Sequence, residues 1–313
     1  MKRRIAWPGA VALVLAIAGC SKDETPPPAA KGDGTVKSVG TVVNGGGAFR
    51  LPFDAALAPD GKTVYFTALV DDGAALFKAP AAGGMPTRLA DLVAPGSVDV
   101  TGDGQTLVVA DPGVESSSGA LGAIVTVSAS GGMPSVVGGT EGTLPQGVAA
   151  SGSRIVFTGA DPADGAPAVF ETSVGGGLTT LLKSGLNGPS GVAIAPSGDV
   201  YVLDADADGA SSRLLKVGTG TPLVTGLRPG FPGGLAIAEN GLNLLVATSD
   251  ATTGKGQLER FTVSGTRAGN PATMTIGSFD EPAGLHRAAQ SDSYAYVDSG
   301  ASDSGSVFVI NRQ

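Results

Sequence analysis

Several side chains in this sequence are of types that do chemistry, and their spacing limits which chemistry that is. The run Asp204-Ala205-Asp206-Ala207-Asp208-Gly209 puts carboxylates on alternate residues of a short loop. That spacing lets them converge on one hard cation, with Gly209 permitting the bend. Ca²⁺ takes roughly 6–8 oxygens, so three carboxylates need backbone carbonyls, water or a later oxygen such as that of Ser212. A helix-flanked twelve-residue calcium loop is excluded, because its bidentate carboxylate would fall on Leu215. Two readings stand: a Ca²⁺ site on Asp204, Asp206 and Asp208, or an acidic surface loop with Asp204 capping a strand end. His286 is the only histidine, so any imidazole base is this one. Cys20 is the only cysteine, which rules out an intramolecular disulfide and a thiolate metal site. No nucleophile elbow is present, since Gly188-Pro189-Ser190-Gly191 opens a strand, and no phosphate loop or dinucleotide fingerprint occurs.

The elements that must position these residues are repeats. Six copies of one pattern begin at Pro52, Pro95, Pro145, Pro189, Pro232 and Pro282, spaced 43, 50, 44, 43 and 50 residues apart. Each copy opens with Pro, continues through a short small-residue strand and a turn, and ends in an apolar strand. The turns include Pro59-Asp60-Gly61, Gly102-Asp103-Gly104 and Glu239-Asn240-Gly241. Asp-Gly and Asn-Gly are hairpin punctuation because glycine accepts positive φ without a Cβ clash. The second strands, such as Val64–Ala68 and Val200–Leu203, are almost continuously apolar, as expected where both sheet faces are covered. Weaker outer hairpins follow, joined by Gly83-Gly84-Met85-Pro86 and Gly131-Gly132-Met133-Pro134. A period of this length with four strands per copy predicts an all-β fold, a six-bladed β-propeller over residues 35–313. After the sixth second strand only Ser306–Ile310 remains for a third strand. The alternating Val36–Val43 is therefore expected to supply the fourth strand and close the ring.

Aligning the copies shows where each breaks its own rule, and such breaks concentrate at functional sites. Glycine fills the third position in Gly147, Gly191, Gly234 and Gly284, while the first copy has Asp54 there. The second copy has Asp99 where others have Ala149, Ala193 and Ala236; the sixth has His286 at that position, followed by Arg287. Ring closure makes the sixth and first copies neighbours. Asp54, Asp99, His286 and Arg287 are accordingly the candidate ligand-binding residues, with interblade hydrogen bonding as the plainer role. Asp111, Asp161, Asp250 and Asp298 recur near strand ends like Asp204 and are expected to bind loop N–H groups identically in each blade.

The fourth copy, Asn187-Gly188-Pro189-Ser190-Gly191-Val192-Ala193 through Tyr201-Val202-Leu203-Asp204 to Arg213-Leu214, resembles an NHL repeat. It is also similar to blades of the gluconolactonase and senescence-marker family, and the Gly-Gly-x-Pro turns resemble those of TolB-type propellers. The gluconolactonase resemblance implies a Ca²⁺-dependent hydrolase or lactonase as the alternative function. That family places a metal-binding Asn in a Pro-Asn-Gly opening an inner strand. Here the matching tripeptides are Pro232-Gly233-Gly234 and Pro189-Ser190-Gly191, and Arg50 and Leu51 stand where an acidic ligand would precede the first blade.

The N-terminus gives an address. Lys2, Arg3 and Arg4 precede a short apolar core, Ala10–Ala18, too short for a bilayer helix of about 20 apolar residues. Ile17-Ala18-Gly19-Cys20 resembles the lipobox of bacterial lipoproteins, which implies cleavage of a signal peptide, 1–19, and lipidation of Cys20. Ser21 implies the outer membrane rather than inner-membrane retention, with the protein facing the periplasm or cell surface. Residues 20–34, rich in Pro, Ala, Lys and Asp, read as a disordered tether. Loss of the signal takes the formal net charge from −8 to −11. An acidic body without a basic stripe excludes nucleic acid as a partner. The expected partners are the membrane, through acylated Cys20, and an envelope protein or small-molecule ligand. The chain is expected to be a monomer acting as a binding or scaffold module rather than an enzyme.

Overall fold

The computed structural model describes residues 36–44, 49–238, 241–264, 267–269, 271–301 and 304–312; the signal peptide, the tether and Cys20 lie outside the described residues. The described residues form strands and turns with no helix. The fold is a six-bladed β-propeller of antiparallel sheets. Blade 1 contains β2 (Arg50–Leu57), β3 (Thr63–Val70), β4 (Gly73–Pro80) and β5 (Thr87–Leu92). Blade 2 contains β6 (Val98–Val100), β7 (Thr106–Glu115), β8 (Leu121–Ser128) and β9 (Ser135–Val136). Blade 3 runs through β10 (Val148–Ser151), β11 (Arg154–Ala160), β12 (Pro167–Ser173) and β13 (Thr180–Lys183). Blade 4 holds β14 (Pro189–Ile194), β15 (Val200–Ala205), β16 (Ser212–Lys216) and β17 (Val224–Leu227). Blade 5 holds β18 (Leu235–Ile237), β19 (Asn243–Ser249), β20 (Gly256–Ser264) and β22 (Ala272–Phe279), and β21 (Arg267–Ala268) folds back on the end of β20. That extra hairpin is not foreshadowed by the repeat.

Blade 6 closes the ring as the strand count requires. Its β23 (Pro282–Arg287), β24 (Ser293–Asp298) and β25 (Ser306–Arg312) are completed by β1 (Val36–Asn44) from the other end of the chain. The register runs antiparallel from Val36 opposite Arg312 to Asn44 opposite Ser306. An edge strand of unpaired N–H and C=O groups is thereby covered by the chain's own beginning.

The core is divided among the spaces between blades. On β3, Phe66 packs with blade 6 residues Val297 and Val307, whereas its neighbour Tyr65 packs with Leu107 and Val109 of blade 2. On β7, Val108 and Ala110 turn the other way, toward Phe157 and Ala168 of blade 3. Side chains alternate across a strand, so a strand buried on both faces must be apolar at every position. That is the physical origin of the continuous apolar second strands. Phe49, Phe66 and Phe77 form an aromatic group at the closure, Phe66 and Phe77 stacked with centroids 5.3 Å apart.

Each inner strand runs from the crossover face, where a new blade begins, to the hairpin face, which carries the first-to-second and third-to-fourth strand turns. The inner strands line the central channel.

Candidate functional site

The third position, where four copies carry glycine, is crowded by the neighbouring blade. A Cβ on Gly147 would collide with the Ser190 carbonyl of the next blade, and one on Gly191 with that of Gly233. A Cβ on Gly284, at φ +49°, would collide with the Asp54 carboxylate. Blade 1 breaks the glycine rule because Asp54 uses the gap as a polar junction. Its Oδ1 accepts the Ala55 N–H at 2.8 Å. Its Oδ2 accepts Ser97 Oγ–H at 2.5 Å, the Val98 N–H at 2.9 Å and a hydrogen bond from His286 Nε2 at 2.9 Å. One fully buried carboxylate thus ties blades 6, 1 and 2. Ser97 belongs to this junction and the repeat alignment passed over it. It stands at the third position of its own copy, so the rule that exposed Asp54 could have found it.

His286 is 9% exposed. Its Nδ1 faces Asp99 Oδ1 across 3.8 Å, an ion-pair distance too long for a hydrogen bond. Asp99 Oδ1 accepts the Val100 N–H and Oδ2 accepts the Ala150 N–H of blade 3, both at 2.8 Å. Burial, the largest single influence on His286, opposes its charge. The Asp54 charge, its hydrogen bond and the Asp99 charge together outweigh burial and raise the imidazole from 6.5 to about 9. The ring is therefore an imidazolium at neutral pH, with both nitrogens as donors. Burial also raises Asp99 above the ordinary carboxylate range, opposed by His286 and by the N–H groups of Ala150 and Val100.

His286 and Asp99 line a cavity of about 310 Å³ at the hairpin-face end of the channel. Leu57, Val100, Ala193, Leu235 and Ile237 add apolar patches to a wall whose accessible surface is more polar than apolar. Arg287 stands on the same wall but does not join Asp54; its Nη1 donates to the Ser291 carbonyl at 3.0 Å. The structure brings Asp54, Asp99 and His286 together and places Arg287 beside them as a separate rim charge.

The acidic loop is different. Among the described residues no group of three or more His, Cys, Asp or Glu side chains is placed to hold one metal ion. Asp204, Asp206 and Asp208 do not converge because each is engaged separately. Asp204, fully buried, accepts the Asn187 and Gly188 N–H groups on Oδ1 and pairs through Oδ2 with Arg213 Nη2 at 2.7 Å. Asp206 accepts Ser211 Oγ–H, and Asp208 accepts the Ala210 N–H. Ser212 pairs with Ala205 in the β15–β16 ladder.

The strand-end carboxylates also divide. Asp111, Asp204 and Asp298 reach back to N–H groups of the segment leading into their own inner strand, such as those of Val93 and Ala94 for Asp111. Asp161 and Asp250 instead cap their own turns at Ala163 and Thr252. Pairing Leu245 with Ala236 and Tyr201 with Ala193 makes Thr248 the counterpart of Asp204. Thr248 accordingly accepts the Arg228 N–H. The uniform role expected for these acids is thus corrected: the sequence alignment placed Asp161 and Asp250 two residues out of register.

No protein-family model matches the chain, and no curated protein matches it. Solved structures do. A putative oxidoreductase (glucose dehydrogenase) from Thermus thermophilus is similar with TM-score 0.63 and 15% identity, over 87% of this chain and 98% of that one. A putative gluconolactonase gives TM-score 0.59 and 13% identity over 88% and 92%. A putative TolB from Agrobacterium tumefaciens gives 0.57 and 14% over 83% and 90%. At such identities the likeness is one of fold. Fold and site together define the class: a six-bladed β-propeller with a polar junction and a small cavity at one end of its channel.

Proposed function

We propose that this chain is a lipid-anchored envelope propeller that binds a small molecule in the hairpin-face end of its channel. The observation that carries this reading is His286 Nδ1, which among the described residues makes no hydrogen bond and faces Asp99 Oδ1 across 3.8 Å in a cavity that mixes apolar side chains with a larger polar surface. A hydroxyl oxygen lying to one side of the pair, about 2.8 Å from each atom, bridges them, because it accepts from the imidazolium and donates to the carboxylate without any proton being moved. At about 30 Å³ per water-sized group, the cavity holds on the order of ten non-hydrogen atoms. The ligand class is therefore a compact, largely polar molecule that carries a hydroxyl. The N-terminal Ile17-Ala18-Gly19-Cys20 supports the envelope address. The alternative, a Ca²⁺-dependent hydrolase, draws no convergent carboxylate set from the described residues.

The test is native mass spectrometry, with metal analysis, of the full chain extracted from membranes in mild detergent. A stoichiometric small-molecule adduct, retained in the parent chain and lost in Asp99→Leu, supports the reading. Bound calcium, or a stoichiometric protein with an empty channel, overturns it.

A further inference from the structure

The third-to-fourth strand turns of blades 1, 2 and 3 share one construction that the cavity does not use. Each carries two successive positive-φ glycines and then a large apolar residue: Gly83-Gly84-Met85, Gly131-Gly132-Met133 and Gly176-Gly177-Leu178. Met85, Met133 and Leu178 are 88%, 93% and 86% exposed, the three most exposed large apolar side chains among the described residues. The turns are held by their neighbours. The Gly132 N–H donates to the Leu89 carbonyl of blade 1, and the Gly177 N–H to the Gly138 carbonyl that follows β9 in blade 2. Residues 81–87, 129–135 and 174–180 contain no charged side chain, in a chain with 28 Asp and Glu. Solvent-exposed turns normally carry polar residues, whereas these three uncharged turns on adjacent blades give the hairpin-face rim apolar tips.

The direction of β1 says what lies opposite. As the outermost strand of blade 6 it begins at Val36 beside Arg312, on the hairpin face, and runs toward the crossover face. The chain therefore enters the domain from the same side as Met85, Met133 and Leu178, and blade 6 adjoins blade 1. Fifteen residues, 21–35, lie between Cys20 and Val36, and the sixteen steps reach at most about 58 Å at 3.3–3.6 Å per residue.

We infer that the hairpin-face rim of blades 1–3 rests on the bilayer that holds the Cys20 lipid, with Met85, Met133 and Leu178 at the lipid surface. This rests on the lipid anchorage stated above. Among the described residues the apolar tips occupy three adjacent blades, so the domain tilts onto that rim. The acidic turns around the channel mouth, which include the exposed Asp60 and Asp103, stay in water. Uncharged turns suit a zwitterionic surface, since they offer nothing to anionic headgroups.

The only tryptophan, Trp7, leaves with the signal peptide, so an introduced tryptophan is a lone reporter. Full-length lipidated Met133→Trp and Leu121→Trp proteins, the latter placing its reporter on the crossover face, are reconstituted into phosphatidylcholine–phosphatidylethanolamine vesicles containing brominated lipid. Met133→Trp fluorescence should fall at least twofold and Leu121→Trp fluorescence should be unchanged. Equal quenching, no quenching of either, or quenching of Leu121→Trp alone overturns the inference. A Met133→Trp reporter shielded from acrylamide in intact envelopes yet indifferent to brominated lipid assigns the rim to a protein and overturns it as well. Failure of the anchor itself reads differently: the purified chain lacks the acyl mass at Cys20 and does not float with vesicles, and both readings then fall.

Discussion

Replacing His286 by glutamine should remove a pH-dependent share of the stability of the ring closure. The folded imidazole titrates at about 9, against 6.5 for an unperturbed one. The folded state therefore holds this proton more tightly than the unfolded chain does. The resulting stabilisation is fully present below about pH 6.5 and is lost as the pH rises through about 9. At about 1.4 kcal/mol per pH unit, the gap between the two values corresponds to about 3 kcal/mol. Asp54, Asp99 and the neighbouring Arg287 are the charged groups around the ring, and only the two carboxylates lie within ion-pair distance. Urea unfolding followed by circular dichroism at intervals from pH 6 to pH 10 measures the effect. The parent chain should lose about 3 kcal/mol more than His286→Gln over that range, the difference cancelling the Lys and Tyr titrations common to both. Because the chain has a single histidine, its imidazole resonances give the midpoint directly. Parallel stability profiles, or an NMR midpoint below 7, would refute the reasoning.

Other expectations follow from the same contacts. Asp204→Ala leaves the Asn187 and Gly188 N–H groups and the Arg213 guanidinium without their acceptor and should cost on the order of 2–3 kcal/mol in urea unfolding. Asp208→Ala, on an exposed turn, should stay within about 0.5 kcal/mol, and millimolar calcium should leave the melting temperature of the parent unchanged. Gly191→Ala drives a methyl into the Gly233 carbonyl of the next blade and should destabilise by about 1–3 kcal/mol or more, measured the same way. Removing residues 1–44 strips β1 from β25 and exposes a long edge; size-exclusion chromatography should show aggregation where the intact domain elutes as a monomer.

Much of the architecture is written locally in the sequence. Pro-opened copies, Asp-Gly turns and second strands apolar at every position state the blade count, because a sheet covered on both faces leaves no polar alternation. The shortage of a fourth strand after Ser306–Ile310 required Val36–Val43 to return, and the register of β1 on β25 shows that return. The recurring third-position glycines mark where the neighbouring blade's backbone comes too close for a side chain. The site was legible only as exceptions: Asp54, Asp99 and His286 stood out by breaking the pattern, yet Ser97 broke it too and gave no chemical signal.

The rest was decided in three dimensions. Asp54 and His286 are 232 residues apart in sequence, and their 2.9 Å contact exists only because closure sets blade 6 beside blade 1. The Asp-x-Asp-x-Asp spacing of residues 204–208 is compatible with convergence, but strand pairing turns Asp204 inward to Asn187, Gly188 and Arg213 and leaves its companions to their own turns. The first hairpin of blade 5 is one residue longer than that of blade 4, Ala236 pairing with Leu245 where Ala193 pairs with Tyr201, so Thr248, not Asp250, stands where Asp204 does. Local propensity fixes strands and turns. Which polar atoms meet is set by the ring's register and by which groups burial deprives of water, and neither is carried by a single copy of the repeat.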